Sequence, residues 1–362
     1  MPSEEVSAAD GERRVKTEEA VKMKLMKTEE AIGQVLCHDI TRIVPGESKG
    51  PVFRKGHVIT EADIPVLLSV GKDHIYIWEN NENMLHENEA AEILYELCRN
   101  EYMHPSEIRE GKIEIISDID GLLKIDREKL RAVNALGEMM IASRHGDVPV
   151  RAGDKLAGTR VIPLVIEKEK MERARAAAPG GHIFRILPFR QKKAAIVTTG
   201  NEVYEGRIQD QFTPVLERKL GEYGAEITGH EICNDDHERI TGAILRMLER
   251  GAELVLCSGG MSVDPDDRTP LAIKNTGAEI VTYGAPVLPG AMFLLSYYGE
   301  RRIPIVGLPG CVMYAKRTIF DLVLPHLMAD DPLKKEDLDR YGEGGLCLNC
   351  DICTFPNCGF GK

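Results

Sequence analysis

The chain has 362 residues, of which 43% are hydrophobic, and a formal net charge of −12. That length predicts two or three domains, each able to bury a core. The charge argues against nucleic acid or an anionic membrane as the main partner, though not against a small anion held by loop amides.

No apolar run approaches the length of a membrane span, and the charged start MPSEEVSAADGERRVKTEEAVK has no apolar signal region. The expected location is therefore cytoplasmic, where nine cysteines stay reduced unless they hold metal. Cys37, Cys98, Cys233, Cys257 and Cys311 are scattered, mostly within apolar runs, and read as small core residues.

Residues 1–20 read as a disordered lead. From 21 to 178 the pattern is an N-terminal α+β region. TEADIPVLLSVG is a helix capped by Thr60 and closed by Gly71. HENEAAEILYELCRN is an amphipathic helix with Ala91, Leu94, Leu97 and Cys98 on one face. GKIEIISDIDG alternates like a strand, REKLRAVNALG reads as a helix, and VPVRAGDKLAGTRVIPLVI as strands broken by glycine turns. The segment 179–193, which opens on Pro-Gly-Gly, reads as a linker.

From 194 to 330 short apolar strands alternate with amphipathic helices. The strands are KAAIVTTG, AEITGHEIC, AELVLC and AEIVTYG, followed by a hairpin, MFLLSYYGERRIPIVG. Between them fall a helix with Phe212, Val215, Leu216 and Leu220 inward and another with Ile240, Ala243, Ile244, Met247 and Leu248 inward. Asp235 and Glu238 can form the capping box of the second. DRTPLAIKNTG is a short helix and CVMYAKRTIFDLVLPHL a closing one. The predicted fold class is α/β: a three-layer, mostly parallel sheet with helices on both faces.

Ligands bind beyond the carboxyl ends of such strands. Three glycine turns fall there: TTGNE at 198–202, SGGMS at 258–262 and GLPGC at 307–311. Their amides suit a phosphate-bearing ligand. Behind the second turn, Asp264, Asp266 and Asp267 crowd together. Asp267 alone could cap the next helix, but three close carboxylates also suit a divalent cation.

TTGNE, CSGGMSVDPDDRTP, PVLPGAMF and GLPGCVMYAKRTIFDLVLP, in this order and spacing, closely resemble the molybdopterin-binding domain of molybdenum-cofactor biosynthesis proteins. The nearest likeness is to the members that insert molybdate into adenylylated molybdopterin and release AMP. The resemblance implies that Thr199, Gly200, Asn201, Ser258, Gly259, Gly260, Ser262, Pro289, Gly290, Gly307, Pro309 and Gly310 bind the pterin. It gives Asp267 and Glu202 the catalytic positions and Asp264 and Asp266 a place beside Mg²⁺. The implied partners are the pterin ligand, molybdate, a molybdoenzyme and a second copy of the chain as a homodimer.

The chain also departs from that pattern. The family's Thr-Gly-Asp is Thr199-Gly200-Asn201, its Pro-Gly-Lys-Pro is Pro289-Gly290-Ala291-Met292, and its Gly-Asn-Pro is Gly310-Cys311-Val312. The lost carboxylate and lysine favour a non-catalytic pterin carrier or redox-linked accessory module, whereas the acidic loop favours a transferase. In place of the family's C-terminal β-domain stands a tail, 331–362, with Cys347, Cys350, Cys353 and Cys358 spaced C-x2-C-x2-C-x4-C. This run resembles the ferredoxin spacing and suits an iron–sulfur cluster, with zinc as the rival. Gly342, Gly344 and Gly345 predict a tethered knob.

Overall fold

The computed structural model describes residues 24–44, 48–54, 57–77, 83–262, 264 and 267–362. The lead expected at 1–20 and the side chain of Asp266 lie outside the described residues. Two compact units divide between Met84 and Leu85. The α+β region expected to run unbroken from 21 to 178 is therefore split. The hydrophobic residues before Met84 close a small core of their own, of Ala31, Leu36, Ile40, Ile59, Leu67 and Ile75.

In the first unit Lys24–Lys27 pairs antiparallel with His74–Ile77, and Ile40–Val44 with Ser48–Phe53. Thr60 and Asp63 form a reciprocal capping box just before the helix Ile64–Ser69; the Thr60 amide donates to Asp63 Oδ2 at 2.8 Å. Gly71 follows the helix at φ +76°, as the sequence predicts.

The second unit opens with the helix Glu87–Cys98, whose Ala91, Leu94, Leu97 and Cys98 are buried. Beside it lies an antiparallel sheet ordered 103–105, 112–117, 155–161, 139–143. A three-stranded sheet follows, ordered 148–150, 121–125, 184–188. The segment 179–193 is thus no linker. Phe184–Pro188 pairs with Gly121–Ile125, and Phe184 and Ile186 are buried. Hydrophobic residues at every second position there mark a strand, which the Pro-Gly-Gly turn before it obscures.

The six-stranded sheet runs 226–233, 193–199, 254–258, 303–308, 294–298, 279–283. The first four strands are parallel, and Leu294–Tyr298 is antiparallel to both its neighbours. On one face Leu216 and Leu220 pack with Phe320, Val323 and Leu327 against Ile196, Leu256 and Val306. On the other, Ile240, Ile244, Met247 and Ile273 cover Val197, Val255 and Ile305. Each fully buried Leu, Ile or Val contributes about 1.5–3 kcal/mol.

Two local readings change. The helix His237–Glu249 is capped by Asp236, whose carboxylate accepts from the Glu238 and Arg239 amides, not by Asp235. Asp235 instead accepts from the Asn201 amide at 2.9 Å. The closing helix begins at Ile319, after a 3₁₀ turn at Gly310–Met313, because Thr318 and Asp321 form its capping box. Every residue of Ile319–Met328 is buried. An all-round apolar helix needs cover on both sides, and the tail supplies it with Leu333, Leu338, Tyr341 and Phe360.

The tail is therefore docked rather than tethered. The Leu288 amide donates to Gly345 O and the Cys347 amide to Leu288 O, both at 2.8 Å. Gly345 and Gly361 are packed so closely that an added Cβ would overlap the Tyr341 carbonyl and the Leu322 side chain.

Candidate functional site

Strand order reverses between Lys193–Thr199 and Leu254–Ser258, since the chain runs outward from 193–199 to 226–233 and then returns to its other side. A crevice at the carboxyl ends of two such strands is the ligand position of open α/β sheets. The turn after each strand carries the expected residues: Gly200 at φ +135°, Gly259 at +91° and Gly260 at +56°.

A hydroxyl lattice locks these turns together. Thr199 Oγ1 donates to Ser258 O at 3.3 Å and stands 3.0 Å from Thr269 Oγ1, which donates to Gly259 O at 2.8 Å. A Cβ on Gly259 would overlap the Thr199 carbonyl oxygen. The Thr199 side chain and Gly259 therefore serve the fit between turns. Gly307 is similarly filled by Met261, and Gly290, at φ +131°, by Ile319, whose amide donates to Pro289 O at 3.2 Å. Pro309 is buried, whereas Gly310 is exposed and has open space where a side chain would stand.

Two side-chain oxygens of this strand end and loop are unpaired. Ser258 Oγ and Asp267 Oδ2 are buried with no hydrogen-bond partner among the described residues. Such atoms cost about 1–3 kcal/mol each unless a ligand or ion satisfies them. Asp267 is not the cap of the following helix. Arg268 holds that position in a helical conformation, and no side chain caps Thr269–Asn275. The Asp267 amide donates to Asp264 O at 2.9 Å, while the Asp264 side chain, like Ser262, is exposed. Tyr283 pins the loop from the edge strand, its hydroxyl donating to Met261 O at 3.0 Å. Burial raises the Tyr283 pKa, and the negative charge of Asp267 adds to the rise.

Glu202 is exposed on the one-turn helix Asn201–Tyr204, its carboxylate facing Gly200. Residue sequence does not announce Thr269 or Tyr283, because both act through space on backbone carbonyls of distant turns. Nor does it announce a neighbouring network. Asp210 accepts from Thr198 at 3.0 Å and Thr213 at 2.5 Å, with His230 Nε2 3.1 Å from both hydroxyls. Burial works against ionisation of Asp210, but these hydrogen bonds and two backbone amides hold its pKa below the usual value.

The fold is a three-layer α/β domain whose glycine turns gather at the carboxyl edge of the sheet. Residues 195–329 match a family described as a probable molybdopterin binding domain, so this part of the chain is a domain of the molybdenum-cofactor biosynthesis type. Residues 25–79 match a family described only as a domain of unknown function. The chain is 37% identical over 90 residues to a CinA-like protein of Mycobacterium tuberculosis, covering 25% of this chain and 21% of that one. It therefore spans about a fifth of the length of such curated relatives.

Among solved structures, the molybdopterin biosynthesis enzyme MoaB of Thermus thermophilus aligns with TM-score 0.32 and 22% identity, over 40% of this chain and 99% of that one. The molybdopterin biosynthesis moea protein of Pyrococcus horikosii aligns with TM-score 0.33 and 16% identity, over 68% and 80%. Among the described residues no helix is long and apolar enough to cross a membrane.

Proposed function

We propose that the 195–329 domain binds molybdopterin in the crevice between Thr199–Asn201 and Ser258–Ser262, and that the protein takes part in molybdate insertion into adenylylated molybdopterin. The observation that carries this reading is the pair of unpaired buried oxygens, Ser258 Oγ and Asp267 Oδ2, at the switch-point crevice of a domain of this family. Ser258 Oγ donates to a phosphate oxygen or pairs with a pterin polar group, and Mg²⁺ satisfies Asp267 with Asp264 and Asp266 nearby. Glu202 stands as the second carboxylate for the transfer, which would rest on positioning and charge stabilisation. Gly200, Asn201, Gly260 and Ser262 line the approach, and Gly310 leaves open space beside it. Pro289, Gly290, Gly307, Pro309 and Gly259 act as the frame.

A second reading, a pterin carrier without transfer chemistry serving a molybdoenzyme, is favoured by one feature: Asn201 Oδ1 accepts from the Asp235 backbone amide at 3.3 Å, and the residue offers no carboxylate. Molybdate- and Mg²⁺-dependent release of AMP from adenylylated molybdopterin separates the two. Release supports the transferase; tight pterin binding without release supports the carrier; and failure to bind pterin ends both. A cytoplasmic site of action and a homodimer belong to the same proposal, the latter checked by sedimentation.

A further inference from the structure

The cysteine tail has its own geometry, separate from the crevice. Cys347, Cys350, Cys353 and Cys358 all line one cavity of about 230 Å³, with Lys316 and Arg317 on its wall. Cys347 and Cys358 are half-buried against the domain core, and Cys350 and Cys353 are exposed. Arg317 and Cys353 line the same cavity, and Lys316 Nζ donates to the Cys350 and Asp351 carbonyls at 3.0 and 2.9 Å. Arg317 also stacks on Phe355, 4.9 Å from the ring centre. Two cations are thus fixed beside four thiols.

A single zinc and a cluster ask for different spacings of the sulfurs. A single zinc, with Zn–S near 2.3 Å, draws four thiolates to within about 4 Å of one another. Among the described residues, the three-ligand group whose atoms lie within 4.8 Å of each other is Asp147, His326 and Asp331. No three tail sulfurs belong to it. The carboxylates of that group are already bridged by the Lys124 ammonium, at 2.6 and 2.8 Å. An iron–sulfur cluster, by contrast, keeps its thiolates apart because irons and sulfides stand between them, and it needs a cavity.

We propose that Cys347, Cys350, Cys353 and Cys358 ligate one iron–sulfur cluster seated in this cavity. With equal ferrous and ferric iron and inorganic sulfide, assembly needs no external oxidant. Each thiol releases its proton to solvent as its sulfur binds iron. A [4Fe–4S] centre with four thiolates remains anionic, and Lys316 offsets part of that charge, Arg317 being already paired with Asp321 at 2.8 Å. The Cys347 amide bonds to Leu288 O, one residue before Pro289-Gly290, so the cluster would adjoin the frame of the crevice. The assignment does not rest on the pterin reading, because it is tested with no pterin present.

The full chain, purified anaerobically and reconstituted with ferrous and ferric iron and sulfide, is expected to hold iron and acid-labile sulfide in equal amounts. It should show a broad visible band that dithionite bleaches. Cys350→Ser and Cys353→Ser, at exposed positions, should lose most of both while keeping the circular-dichroism spectrum, whereas Cys311→Ser should keep both. One tightly bound zinc per chain without labile sulfide, no retained metal, or unchanged cluster content in both tail variants would each overturn the proposal.

Discussion

Asp267→Asn separates a cation ligand from a structural carboxylate. If Asp267 capped the helix Thr269–Asn275, asparagine would serve nearly as well, and any loss would stay within a few tenths of the roughly 1 kcal/mol that a cap supplies. The cap position belongs to Arg268 and has no side-chain bond, so no capping energy is at stake. Oδ2 is instead buried and without a partner among the described residues, an arrangement that costs about 1–3 kcal/mol. Neutralising the side chain should leave the ligand-free protein as stable as before or up to about 1 kcal/mol more stable, a rise of no more than about 4 °C in Tm. Removing a charged ligand of Mg²⁺ should weaken Mg²⁺-dependent molybdopterin binding at least tenfold, about 1.4 kcal/mol. Thermal melts without ligand and calorimetric titration with molybdopterin, each with and without Mg²⁺, read both sides. A ligand-free protein destabilised by about 1 kcal/mol or more, with Mg²⁺-dependent affinity unchanged, would refute the reasoning and make Asp267 structural.

Ser258→Ala should be neutral for the ligand-free fold, because its Oγ is already unpaired, yet lower pterin affinity about tenfold by loss of one hydrogen bond; equilibrium titration decides. Asp321→Ala should cost about 3–5 kcal/mol in urea unfolding, since it strands the buried Lys219 ammonium that lies 2.5 Å from Asp321 and also removes the nearer of two carboxylates paired with Arg317. Burial opposes ionisation of Asp331, but hydrogen bonds from His326 and Lys124 hold its pKa at about 2. A depressed carboxyl contributes stability that is full above about pH 4 and is lost as pH falls toward 2. Asp331→Asn should therefore flatten the acid limb of urea midpoints over that range, and an unchanged limb would remove Asp331 from the account.

The sheet was legible because each strand carries its burial in its own letters. Leu254–Ser258 is buried throughout, and the inward residues of the 237–249 helix recur at helical spacing. The strand Phe184–Pro188 was hidden because two glycines and flanking basic residues imitate a linker. Some of those basic residues are in fact paired: Lys192 is buried against Asp330. The cap slipped by one residue because Asp235 and Asp236 are chemically equal, and only the chain path assigns one to the helix and the other to Asn201. At the crevice, the glycines could be read as turn formers. What they make room for could not: at Gly259, Gly290 and Gly307 it is another part of the chain. The unpaired state of Ser258 and Asp267 is a property of surroundings, invisible in a string of residues.

The sheet joins two differently built halves. Strands 226–233, 193–199 and 254–258 are linked by helical crossovers, whereas 279–283, 294–298 and 303–308 form a meander of sequence neighbours. The halves meet along one seam, from Val255 opposite Ile305 to Ser258 opposite Leu308. The meander can close early on local contacts; the seam requires distant segments and should close late. Turns 258–260 and 307–310 lie at the mouth of that seam, so their juxtaposition cannot exist in a half-assembled domain. A ligand spanning it would act as a clasp on folding itself, adding about 2.7 kcal/mol at a hundred times its Kd. Amide exchange in both halves should slow together, even in strands the ligand never touches.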